Sequence, residues 1–153
     1  MGTRNRSRTQ RTGFTLVEMM IGVTVFAITT AISFPRVGTA MRHGRVNQAA
    51  TVVAGDLEMA LSLAARQRKP VRLTFTSGAT SLVISDRNSG TILKERSLGA
   101  NSDWKLTGVT SSSPVVDVYP RGSTSAPLSI TLTADDYARR VTMSRAGLIL
   151  VTP

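Results

Sequence analysis

The feature that most constrains this chain is the run from Phe14 to Phe34, FTLVEMMIGVTVFAITTAISF, which carries a single charge, at Glu18. As a helix it would extend about 30 Å, the thickness of a bilayer's hydrocarbon core. The thirteen residues before it contain Arg4, Arg6, Arg8 and Arg11 and no acid. The chain therefore opens with a basic head on a membrane-length apolar segment. That placement reframes the net charge of +10, because without the head 15 cations face 9 acids, leaving +6. A pI near 11.5 invites a nucleic-acid reading, but much of the charge sits beside the span.

Three readings compete for this opening. A secretory signal also begins with cations, but its apolar core is only about 7–15 residues and ends at small residues. Here Thr29, Ala31 and Ser33 give a weak pattern of that kind. A plain single-span anchor accounts for the length and leaves Glu18 unexplained. Acids within a span are functional candidates by default. The third reading processes the chain between Gly13 and Phe14. A new amino group on Phe14 would lie one helical turn from Glu18, and a carboxylate there can meet an amine of its own or a neighbouring chain. In hydrocarbon an ion pair is far better than either charge alone.

Gly13-Phe14-Thr15-Leu16-Val17-Glu18 resembles the signal of type IV prepilins and of the pseudopilins of type II secretion. In that family the resemblance implies cleavage after the glycine by a prepilin peptidase at the cytoplasmic face and N-methylation of the new N-terminal residue, Phe14. It also implies that Glu18, fifth from Phe14, recruits the subunit into a helical filament by neutralising a neighbour's N-terminus. Pro35 stands where the family commonly carries a helix-kinking proline. The flanking charges alone orient the span weakly, since Arg36, Arg42 and Arg45 follow it against four arginines before it. The resemblance places the leader in the cytoplasm and the head in the periplasm, on a single pass through the inner membrane.

After Pro35 the pattern stays helical and becomes amphipathic. Val46, Ala50, Val53, Leu57, Leu61 and Ala64 form one apolar stripe, with Gln48, Asp56, Glu58 and Arg66 on other faces. Arg66, Arg68 and Lys69 crowd its end, and Pro70 stops it. The expected domains are a leader over 1–13, a transmembrane helix over 14–35, an amphipathic extramembrane helix over 36–69 and a β-rich head over 70–153. From Val71 the period falls to two. Strands are expected at Val71–Thr76, Ser81–Ser85, Thr91–Arg96, Trp104–Val109, Val115–Tyr119, Leu128–Thr133, Arg140–Ser144 and Leu148–Thr152, joined by turn-forming residues. The fold class is α+β: a long N-terminal helix, transmembrane in its first half, packed on a C-terminal antiparallel sheet or small sandwich, type IV pilin-like. So short a β region is marginal alone, and the amphipathic helix is expected to complete its core.

The C-terminal half has a resemblance of its own. Pro120-Arg121-Gly122 before an alternating strand, and Val141 to Ile149 turning on Gly147, look like the GspH/FimT group of minor pseudopilins and minor pilins. That resemblance implies a minor subunit of a type II secretion pseudopilus or type IV pilus, at or near the tip. Its implied partners are other pilins or pseudopilins, the prepilin peptidase and N-methyltransferase, inner-membrane lipid and an inner-membrane assembly platform. The alternative is a DNA-binding minor pilin of natural transformation. Some members use cations on and after the last hairpin glycine, but here Gly147 to Pro153 has none. Phosphate contacts would fall to Arg139, Arg140, Arg145 and Arg121.

Enzymatic chemistry finds little material. With no cysteine and one histidine, His43, no usual nucleophile–base set, thiolate metal site or multi-histidine site can be assembled. His43, beside Arg42 and Arg45, reads as a solvated residue. Asp135-Asp136 supplies too few ligands for a hard cation. The expectation is a structural subunit with no metal, no cofactor and no catalytic residues.

Overall fold

The computed structural model describes residues 13–76 and 81–153. The leader expected over 1–13 lies outside them except for Gly13. Helix α1 spans Leu16–Gln67, its helical assignment continuing through Pro35. The chain divides into two compact units, one ending at Gly38 and one from Thr39 to Pro153, and each is described by itself.

In the first unit α1 begins at Leu16, with Thr15 as its N-cap. Its side chains are turned outward: Leu16, Val17, Met19, Met20, Ile21, Val23, Val25, Phe26, Ile28 and Ile32 are all exposed. Exposed apolar surface on that scale needs a partner, because soluble surfaces rarely leave large contiguous apolar patches. This part of α1 is long and apolar enough to cross a membrane. The polar groups inside the run are satisfied locally. Thr24 and Thr30 donate their hydroxyls to the carbonyls of Met20 and Phe26, at 2.8 and 2.7 Å. Such back-bonding is how hydroxyl side chains are tolerated in hydrocarbon.

In the second unit the remaining part of α1 packs on two four-stranded antiparallel sheets. The first sheet comprises β1 (Val71–Thr76), β2 (Ser81–Asp86), β3 (Ile92–Ser97) and β5 (Val115–Val118), in the order β3-β2-β1-β5. The second comprises β4 (Gly108–Ser111), β6 (Leu128–Ala134), β7 (Tyr137–Met143) and β8 (Ile149–Thr152), in the order β4-β6-β7-β8. Alternation sets the faces. Val71, Leu73 and Phe75 of β1 point into the same core as Leu128, Ile130 and Leu132 of β6. Val46, Ala49, Ala50, Val53, Leu57, Ala60 and Ala64 supply the helical wall. Small alanines at four of those positions let the helix approach the sheets closely.

The helix ends at Gln67, and Arg68 takes a left-handed φ of 52° that redirects the chain into β1. Seven of the eight expected strands are found within a few residues of their predicted bounds. The strand expected at Trp104–Val109 is displaced: β4 begins at Gly108, and Trp104 lies in a turn. Lys105, at φ 47°, breaks the extended backbone there, and the Arg96 guanidinium lies 5.7 Å from the Trp104 ring. Asp56, placed by the sequence off the apolar stripe, is buried. Lys94 and Arg96 share the core-facing side of edge strand β3, and both reach back to it. Arg96 Nε and Nη2 donate to its two oxygens at 2.6 and 3.0 Å, and Lys94 Nζ stands 2.7 Å away. Burial would raise the Asp56 pKa, but the hydrogen bonds from Arg96 and Lys94 outweigh it and hold the carboxyl below its ordinary value.

Candidate functional site

The residues singled out at the start of the chain fall at one helix terminus. Gly13, Phe14 and Thr15 precede the helix, and Phe14 is 77% exposed. The Gly13–Phe14 peptide bond thus stands outside the helix. Glu18 occupies the third helical position. Its backbone N–H donates to Thr15 Oγ1 at 3.2 Å, and the Thr15 N–H donates to Glu18 Oε2 at 3.4 Å. This reciprocal pair is a capping box, which satisfies two of the N–H groups a helix start leaves unpaired. It also holds the carboxylate at the positive end of the helix dipole. The T-x-x-E spacing announces this arrangement in the sequence, although the charge of Glu18 alone gives no hint of it.

The C-terminal candidates divide. Arg139 and Arg140, neighbours on β7, alternate onto opposite faces of the second sheet. Arg139 is engaged: its Nε lies 2.8 Å from Asn47 Oδ1 and 2.9 Å from the Tyr137 hydroxyl, and its guanidinium stands 5.6 Å from the Tyr137 ring. Arg140, Arg145 and Arg121 are exposed and form no ion pair with a described residue. His43 is not simply solvated. It is half-buried and stacks on Tyr137 with ring centroids 4.0 Å apart. Asp135 takes a left-handed φ of 54° at the β6–β7 turn and lies 3.6 Å from Arg42. No group of three or more potential metal-ligating side chains occurs among the described residues.

The turn glycines prove to be neighbours. Gly122 closes the turn from Tyr119, and Gly147 closes the turn from Ser144, with φ of 83° and 78°. The two turns are joined by a hydrogen bond from the Thr124 N–H to the Arg145 carbonyl, at 2.9 Å.

Residues 49–147 match the family model described as type II transport protein GspH. The chain belongs to the GspH family. Residues 8–34 match the prokaryotic N-terminal methylation motif, which overlaps the capping box and the apolar run. Among solved structures, the type IV minor pilin FimU of Pseudomonas aeruginosa is similar in fold, with a TM-score of 0.59 and 20% identity. That match covers 72% of this chain and 90% of FimU. The minor pseudopilin EpsH of the Vibrio cholerae type 2 secretion system matches with a TM-score of 0.53 and 13% identity, covering 71% of this chain and 96% of EpsH. No curated protein matches by sequence. GspH-family membership and the pilin-like fold identify a structural subunit of the pilin and pseudopilin class, anchored by an N-terminal apolar helix.

Proposed function

We propose that this chain is made as a prepilin, cut between Gly13 and Phe14, N-methylated on Phe14, and added as a minor subunit to an inner-membrane-anchored filament. The filament is a type II secretion pseudopilus or a type IV pilus, with this subunit at or near its tip and the β-rich head in the periplasm. The observation carrying the proposal is the capping box, which presents the Glu18 carboxylate at the helix start, one turn from an exposed Phe14. A neighbour's N-terminal ammonium docking there would meet a charge already positioned, and unpaired partners in hydrocarbon would resist any other register. Pro35, which lacks the N–H that would bond Ala31, is the natural place for the helix to bend on leaving the membrane.

The test is direct. Mass spectrometry of the chain from cells carrying its own peptidase should find methylated Phe14 at the N-terminus. An uncut chain, or a cut near Ser33, would sink the proposal. Glu18→Gln should be processed normally yet be lost from sheared filaments. A DNA-contacting role would draw on Arg140, Arg145 and Arg121, since Arg139 is held by Asn47 and Tyr137. Its measurement is a gel shift with the full chain in detergent, which must show binding that weakens steeply with salt.

A further inference from the structure

Of the four edges of the two sheets, those of β3, β5 and β8 differ in what guards them. Edge strand β3 carries Lys94, Glu95 and Arg96, charges of the kind that discourage strand addition. The edge of β5 is covered by its own chain: Thr124 bridges Val118, the Ser125 N–H donates to the Asp117 carbonyl, and Ser125 Oγ accepts from the Asp117 N–H. Strand β8 has neither protection. It contains no charge and no proline, and Leu148, Leu150 and Val151 beside and within it are 61%, 52% and 45% exposed.

The register shows what this edge presents. The Ser144 N–H donates to the Leu148 carbonyl at 2.9 Å, so Thr142–Leu150 and Arg140–Thr152 are the hydrogen-bonded pairs. The backbone N–H and C=O groups of Ile149 and Val151 therefore face away from β7, toward an empty position in the sheet. On the outer face beside them, Pro127, Ser129, Thr142, Leu148 and Leu150 line a shallow, mainly apolar groove.

The charge around this edge is of one sign. Arg140 lies one hydrogen-bonded pair from Leu150 on the same face, and Arg145 and Arg121 sit in the two joined turns at the other end. From Val118 to Pro153 the acids are Asp135 and Asp136, both at the opposite hairpin. A second copy pairing β8 with β8 would bring two arginine-rimmed edges together, which like-charge repulsion opposes.

We infer that β8 is a strand-addition site for an extended segment of a different protein chain, with alternating apolar residues and carboxylates at its ends. Main-chain hydrogen bonds to Ile149 and Val151 would supply affinity, the Leu148–Leu150 groove would take alternate side chains, and Arg140, Arg145 and Arg121 would meet the carboxylates.

The full chain in detergent micelles can be titrated with a labelled peptide of alternating valine and threonine with two glutamates at each end. Controls are the lysine-ended peptide, a version with alternate backbone N-methyl groups, and a duplex oligonucleotide. Val151→Pro removes an outward N–H and no bond to β7, a position where an edge strand accepts proline. Leu150→Ser alters the groove and leaves the charge unchanged. The glutamate-ended peptide should bind on the order of tenfold tighter than the lysine-ended one, and N-methylation, Val151→Pro and Leu150→Ser should each abolish binding. Equal binding of the lysine-ended peptide, or unchanged binding by Val151→Pro, would overturn the inference. So would a dimer that Val151→Pro dissociates, or oligonucleotide binding with none of the acidic peptide.

Discussion

Gly147 packs against the Gly122 carbonyl so tightly that a Cβ on Gly147 would overlap that oxygen and come within 3.3 Å of Leu61 Cδ2 on the helix. Both glycines have left-handed φ, but nothing lies within 4 Å of where a Gly122 Cβ would stand. Gly122→Ala should therefore cost about 1–2 kcal/mol for backbone strain alone. Gly147→Ala meets strain plus a backbone collision and should cost clearly more, about 3 kcal/mol. Urea unfolding of the two variants, monitored by Trp104 fluorescence, checks the ranking.

The Asp56 clamp should set the acid limit of the head. Its carboxyl titrates below the ordinary value when folded, so the unfolded chain binds the proton at higher pH. The stabilisation is fully present above the ordinary carboxylate range and is lost as pH falls through the lower, folded value. Asp86 adds in the same direction, because the backbone N–H groups of Ser89 and Asn88 hold its carboxyl below its usual value. Stability of the wild type should therefore fall off below about pH 4. Asp56→Asn, which leaves Lys94 and Arg96 without their carboxylate, should lose about 2–3 kcal/mol at neutral pH and show a shallower acid limb.

Adjacent arginines on β7 should behave oppositely. Arg139→Ala removes hydrogen bonds to Asn47 and Tyr137 and a ring contact, and should lower stability by about 1–2 kcal/mol. Arg140→Ala touches none of these and should stay within about 0.5 kcal/mol of wild type. Thermal unfolding of the pair decides it.

Thr15 should act locally. Thr15→Ala removes the N-cap oxygen and should weaken the first turn by about 1 kcal/mol, while Thr15→Ser should restore it. Amide exchange at Leu16 to Glu18 in micelles reads this directly.

Much of the fold is legible in the sequence because its signals are local. Alternation over Val71–Thr76, and turn formers such as Asp86 to Gly90, specify β1, β2 and their connections. What escapes depends on distant partners. The burial of Asp56 needs cations about forty residues away on β3, and the fate of Trp104 rests on a left-handed Lys105 that no propensity announces. Glu18 is different again. Its spacing from Thr15 is a plain local signal, but a charge in an apolar run draws attention to distant partners first. The separation of Arg139 from Arg140 was implicit in alternation once β7 was known to start at Tyr137, three residues earlier than the expected Arg140.

The order of strands has a consequence in time. The chain places β4 in one sheet, returns to the other for β5, and crosses back for β6. A chain emerging from its N-terminus can pair β1, β2 and β3 as they appear, but β4 has no neighbour until β6 arrives, and β1 keeps an open edge until β5 does. The interleaving couples the two sheets through long loop closures, which slow assembly and make it cooperative. A head halted partway through emergence would hold a three-stranded meander with only the helix to cover its apolar face, and only the last hairpin would close the structure.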